Sequence, residues 1–239
     1  MRVDGLVLGP IPNFGLPLGS LHSRSSTLNY TAHMPLITFE GVEGAGKSTQ
    51  LARAAERLRQ SGREVVETRE PGGTVIGQKI RAILLDVAHG DLDPVAEWLL
   101  YEADRRQHVK ELLKGGTRAD RFILCDRYSD TTEAYQQVGR GLDAELVRKI
   151  DDLARSGLVP DLTLVYDILP EEGLARVRSR NGSVDRFEAA DLQFHQRVRS
   201  AYLQIARREP ERVRLISADQ HPDRVFAETW RHLSERFGI

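Results

Sequence analysis

Residues 36–49 read L-I-T-F-E-G-V-E-G-A-G-K-S-T, an apolar run that breaks into glycines and then into a lysine and two hydroxyls. Residues 36–40 read as a buried parallel strand. Residues 47–60 put Leu51, Ala54, Ala55 and Leu58 on one helical face, with arginine and glutamine opposite, and Gly62 ends that helix. Between strand and helix, Gly41, Val42, Glu43, Gly44, Ala45, Gly46, Lys47 and Ser48, with Thr49 following, fit G-x-x-x-x-G-K-[ST] at every required position. Glycines there let the backbone N–H groups turn inward, and the helix N-terminus adds partial positive charge. The pattern suits the phosphates of ATP, with Lys47 reaching the β- and γ-phosphates and the Ser48 hydroxyl on Mg²⁺. No N-K-x-D run, the usual guanine reader, occurs in the chain, which argues against a GTP switch.

Working outward, strands are expected at 64–68, 122–125, 162–167 and 213–217, each short and mostly apolar or β-branched. Helices are expected at 93–113, entered through Asp93 and Pro94, and at 143–156, 171–180, 189–207 and 221–236. Strict alternation of strand and helix predicts an α/β protein with a five-stranded parallel sheet flanked by helices. Ligands of such sheets bind beyond the carboxyl ends of the strands. Asp126 and Asp167 both end apolar strands, and either could hold a Mg²⁺-bound water. Asp126 is preferred because Arg127 follows it directly.

The chain has 239 residues, enough for one well-buried core. Its 34 basic and 35 acidic residues nearly cancel, which predicts no bulk binding to nucleic acid or membrane. The single cysteine, Cys125, rules out an intrachain disulfide framework and is compatible with the cytoplasm. No apolar stretch reaches the length of about 18 residues that a membrane helix needs. Residues 1–33 are dense in Gly, Pro and Ser, so they are expected to be a flexible tail or the product of a start codon upstream of Met34. Residues 34–239 then form the folded domain.

Three further stretches accompany the glycine loop: T-R-E-P-G-G-T at 68–74, L-L-Y-E-A-D-R-R-Q-H at 99–108 and D-R-Y-S-D-T-T-E-A-Y-Q-Q-V-G-R-G at 126–141. With the loop, in this order, they resemble the thymidylate kinases, and the resemblance runs from about residue 36 to the C-terminus. It implies a P-loop NTPase fold with a small lid at about 174–187, transfer of the ATP γ-phosphoryl to dTMP, Mg²⁺, and a homodimer. By the same match Arg127 and Arg81 hold the acceptor phosphate, with Arg69 beside them. Tyr101 stands where the family usually has a stacking phenylalanine, and Glu102 and Arg106 where alanines are commoner. Arg105 matches the reader of the thymine edge, and Thr132 and Gln136 match further base contacts. Tyr135 matches the tyrosine that excludes a 2′-hydroxyl, Glu43 a carboxylate that reaches the 3′-hydroxyl, and Pro71 a cis proline.

One family type carries a catalytic arginine in the loop, at the position of Gly44. With glycine there, the resemblance moves that charge to lid arginines, of which Arg180 is the first choice, Arg178 and Arg186 being the alternatives. Phosphoryl transfer needs cations placed on developing charge, and arginine suits phosphate oxygens through its planar fork.

Overall fold

The computed structural model describes residues 34–113, 120–179 and 185–239. The expectations for residues 1–33, for Arg180 and for the middle of the expected lid fall outside them. Five parallel strands, β1 (Leu36–Glu40), β2 (Glu64–Arg69), β3 (Arg121–Asp126), β4 (Leu162–Asp167) and β5 (Val213–Ser217), form one sheet in the order β2-β3-β1-β4-β5. The alternation of side chains along each strand feeds two apolar clusters. Ile37, Phe39, Phe122 and Leu124 enter the larger one. Leu36, Ile123 and Cys125 enter a second, with Met34, Val109 and Leu112. Both faces of the sheet are thus covered, which is why its strands read as apolar runs.

The helices are α1 (Lys47–Gln60), α2 (Val75–Leu85), α3 (Pro94–Leu113), α4 (Ser129–Thr132), α5 (Ala144–Arg155), α6 (Pro170–Arg178), α7 (Leu192–Arg208) and α8 (Pro222–Phe237). α4 runs on into a wide π turn, Glu133–Gly139. Three of these elements, α2, α4 and the π turn, were not anticipated. α2 hides behind Gly72, Gly73 and Gly77, yet Thr74 caps it by accepting from the Gly77 N–H at 2.9 Å. The π turn follows no 3.6-residue period, so periodicity does not find it. α7 begins later than the apolar pattern implies because Asp191 caps it, accepting from the Phe194 N–H at 2.6 Å.

In register, Phe39 lies beside Asp126, Arg69 beside Asp126, and Asp167 beside Ser217. The parallel sheet therefore brings the ends of β1, β2 and β3 to one edge. The candidate site residues sit on that edge and on the helices that leave it.

Candidate active site

The glycine loop wraps the start of α1. Gly46 takes a left-handed backbone (φ 85°) as the helix N-cap. Gly44 (φ 72°) lies so close to α6 that a Cβ there would stand 2.1 Å from the Gly173 carbonyl oxygen. Lys47 folds back, its Nζ donating to the carbonyls of Gly41 (3.0 Å) and Val42 (2.9 Å). Burial, and then the Arg127 charge, lower its ammonium to about 8. The Ser48 hydroxyl donates to Asp126 Oδ2 at 2.6 Å. Asp167, the rival carboxylate, is held by both forks of Arg199 at 2.6 and 2.9 Å.

A cavity of about 470 Å³ opens from this loop. Its wall includes Glu43, Gly44, Gly46, Lys47, Ser48 and Thr49 on one side, and Arg69, Pro71, Arg81, Tyr101, Arg127 and Tyr135 on the other. The Glu70–Pro71 bond is cis, and Arg81 donates to the Pro71 carbonyl at 3.0 Å. Burial, and after it the Arg69 charge, lower the Arg81 guanidinium from its usual value, as expected of cations gathered to meet an anion.

Glu43 is the densest junction. Its Oε1 accepts from Arg127 Nη2 (2.9 Å) and from the Tyr135 hydroxyl (2.6 Å), and its Oε2 faces His195 Nδ1 at 3.1 Å. Burial alone would raise this carboxyl, but Arg127, His195 and Lys47 more than reverse it, and it lies well below the usual carboxylate range. Arg127 stands at φ 68°, a left-handed position for a non-glycine residue. Glu40, buried at the end of β1, braces that turn. It accepts from the Tyr128 N–H (2.7 Å) and from the hydroxyls of Thr131 (2.6 Å) and Tyr202 (2.9 Å).

Not every matched residue reaches the cavity. Arg105 lies beneath it, 1% exposed, bonded to Glu70 (2.9 Å), Glu102 (3.0 Å), Asp151 (2.8 Å) and the Thr132 hydroxyl (2.9 Å). Burial works against its charge, but Glu102, Glu70 and Asp151 outweigh it and hold the guanidinium above its usual value. Glu102, one of this chain's departures from the family pattern, is thus a direct ligand of Arg105. Thr132 is occupied by Arg105, and the neighbouring Thr131 lines the cavity instead. Gln136 is buried and donates to Glu97 at 3.0 Å.

The arginines expected on a lid also separate. Arg186 is buried, donating to the Leu84 carbonyl (2.9 Å) and pairing with Glu97 (2.7 Å). That holds it on the α2–α3 side, away from the glycine loop. Arg178 ends α6 and is exposed. Arg176, one turn from Gly173, lines the cavity and donates to the Ala218 carbonyl at 3.0 Å. Phe187 lines the cavity too, its ring edge-on to Tyr101 (6.2 Å) and Tyr135 (5.7 Å). Nothing in a linear pattern marks Phe187, Glu97 or His195 as neighbours of the site. Their place depends on how α3 and α7 cross the sheet edge.

Comparison with known proteins matches this geometry. A family profile described as thymidylate kinase covers residues 39–229. A thymidylate kinase from Solidesulfovibrio magneticus is 48% identical over 200 residues, spanning 81% of this chain and 96% of that protein. One from Deinococcus radiodurans is 47% identical over 200 residues, spanning 84% and 96%. The crystal structure of thymidylate kinase from Ehrlichia chaffeensis superposes with a TM-score of 0.67 at 31% identity, over 84% of this chain and 99% of that one. With the glycine loop, the arginine-lined cavity and the P-loop sheet in one frame, the chain belongs to the thymidylate kinase family.

Proposed function

We propose that the chain transfers the γ-phosphoryl group of ATP to dTMP, giving ADP and dTDP. The observation that carries this reading is one cavity with two anion-seeking ends. The glycine loop and Lys47 form one end, and Arg69, Arg81 and Arg127 the other. An oxygen of the acceptor phosphate attacks the γ-phosphorus, the bond to the bridging oxygen breaks, and ADP leaves. That oxygen is already anionic, so no strong base is needed, and positioning with charge neutralisation carries the step. Ser48 and Asp126 offer hard oxygen donors that fit Mg²⁺, which supplies charge neutralisation on the donor phosphates.

Tyr101 and Tyr135 form the apolar walls for base and sugar, and Glu43 takes the 3′-hydroxyl. Arg105, Thr132 and Gln136 support those walls from behind and set the depth of the base pocket. Arg176, Arg178 and Arg180 are the arginines left to meet the transferring phosphoryl, and Arg186 anchors the segment that follows them. Exposed Ile76 and Ile83 on α2 and Val95 and Leu99 on α3 form an apolar strip suited to a second copy of the chain in a homodimer. Among the described residues no helix is long and apolar enough to cross a membrane. The lone buried Cys125 fits the reducing cytoplasm we assign to the enzyme.

A coupled ADP-release assay tests the reaction. ADP should form in step with dTMP consumption, and dTMP should be preferred over dUMP, dCMP and dGMP. ATP binding without ADP formation on adding dTMP would remove the reading. The Lys47 value near 8 adds a pH test. Below it the ammonium is charged before ATP binds; above it, binding must also take up a proton. ATP affinity, measured by calorimetry, should fall by up to about tenfold per pH unit above pH 8, and Lys47→Met should bind weakly with a flatter profile.

A further inference from the structure

We propose that His195 is a positioning residue for sugar recognition: it fixes the rotation of the Glu43 carboxylate so that one oxygen stays available to the acceptor's 3′-hydroxyl. The inference rests on the reading of Glu43 given above. His195 lies on α7, fully buried, with its ring edge-on to Phe194 at 5.5 Å. Its Nδ1 stands 3.1 Å from Glu43 Oε2. Arg127 and Tyr135 both donate to the other oxygen, Oε1. They hold Oε1 beside the cavity, and because the last torsion of glutamate is broad, the tilt of the carboxylate about that anchor depends on what meets Oε2. Control of Oε2 then falls to the group that faces it, and that group is His195.

The energetics point the same way. Neither ring nitrogen of His195, nor Glu43 Oε2, makes a well-directed hydrogen bond among the described residues. Burying unsatisfied polar atoms is unfavourable. A side chain needed only to fill space beside Phe194 would be apolar. With Oε2 buried against the imidazole, the carboxylate is turned so that Oε1, beside Arg127 and Tyr135 on the cavity wall, is the oxygen a hydroxyl ligand meets. His195 does not line the cavity, so it acts through Glu43 and not on the nucleotide.

The test compares kcat/KM for dTMP with kcat/KM for its 3′-deoxy analogue, using the full chain with ATP and Mg²⁺. The ratio measures what the 3′-hydroxyl contributes. It should fall at least about fivefold in Glu43→Gln and in His195→Leu, in line with the loss of one hydrogen bond. His195→Asn keeps a donor near the Nδ1 position and should retain the ratio within about twofold. His195→Gln, whose amide lies further out, should lose it. Thermal midpoints identify the folded variants, and the Asn and Gln pair decides the matter if the Leu variant does not fold. A His195→Leu or His195→Gln variant that slows both substrates equally, leaving the ratio intact while Glu43→Gln lowers it, overturns the role of His195 alone. Loss of the ratio in His195→Asn does the same. An unchanged ratio in Glu43→Gln overturns the reading of Glu43, and the inference with it.

Discussion

Arg127→Ala is expected to lower kcat/KM for dTMP by about 10³, the scale of removing a transition-state donor from a preorganised site, and to destabilise the fold by about 3 kcal/mol. The two losses have different origins. The kinetic loss comes from removing the guanidinium that we assign to the acceptor phosphate. That guanidinium sits between Glu43 and the Tyr135 ring, its carbon 4.8 Å from the ring centre. The stability loss comes from Glu43, whose buried carboxylate then lacks its nearest cation. The left-handed backbone at position 127 adds nothing to the difference, because alanine pays the same cost there as arginine. Arg127→Lys keeps a charge without the fork and should fall between, at roughly 10–100-fold. Steady-state kinetics with varied dTMP and urea unfolding measure both effects. An alanine variant within tenfold of the parent would show that the acceptor phosphate lies elsewhere.

Gly44→Arg, which moves this loop toward the family type with a loop arginine, is expected to fail. The reason is not the guanidinium but the first carbon of the side chain. A Cβ would meet Gly173 oxygen at 2.1 Å, its carbon at 2.6 Å and its Cα at 2.8 Å, all backbone atoms that cannot swing aside. The φ of 72° adds the usual left-handed penalty. Overpacking and backbone strain together are expected to cost about 4 kcal/mol. Gly44→Ala should therefore be nearly as damaging as Gly44→Arg, with activity down at least about 100-fold because the loop amides shift off the phosphates. Differential scanning fluorimetry and the ADP-release assay check this. An alanine variant with the parent's melting temperature and rate would show that α6 is not held where the structure places it.

Much of this was legible in the sequence, for physical reasons that differ from element to element. The strands of a sheet covered on both faces must be apolar, so 36–40, 122–125 and 162–167 could be read directly. The glycine loop was legible because its backbone conformations demand glycine at fixed spacing. Lys47 and Ser48 came with that loop, and Asp126 came from the end of an apolar strand, preferred to Asp167 because Arg127 follows it. The order β2-β3-β1-β4-β5 has no local signal, since it depends on which crossover goes left or right. α2 was lost among glycines, and the π turn carries no helical period. Side-chain direction was harder still. Arg105, Thr132 and Gln136 lie in the right stretches but turn their polar groups to Glu102, Arg105 and Glu97. Arg186 reads as a free lid cation beside Arg176, Arg178 and Arg180. Only the docked position of residues 185–188 shows that Glu97, far away in sequence, already holds it.

Glu97 accepts from Gln136, pairs with Arg140 at 2.9 Å and pairs with Arg186 at 2.7 Å. It also lies one helical turn before Tyr101 on α3. A single buried carboxylate thus joins the part of α3 that carries Tyr101 on the cavity wall to residues 185–188. Linkage makes such a connection symmetrical: an acceptor that favours the docked arrangement of residues 185–188 is favoured by that arrangement in equal measure. A substitution at Glu97 is therefore expected to change acceptor affinity and the docking of residues 185–188 together, although Glu97 does not itself line the cavity.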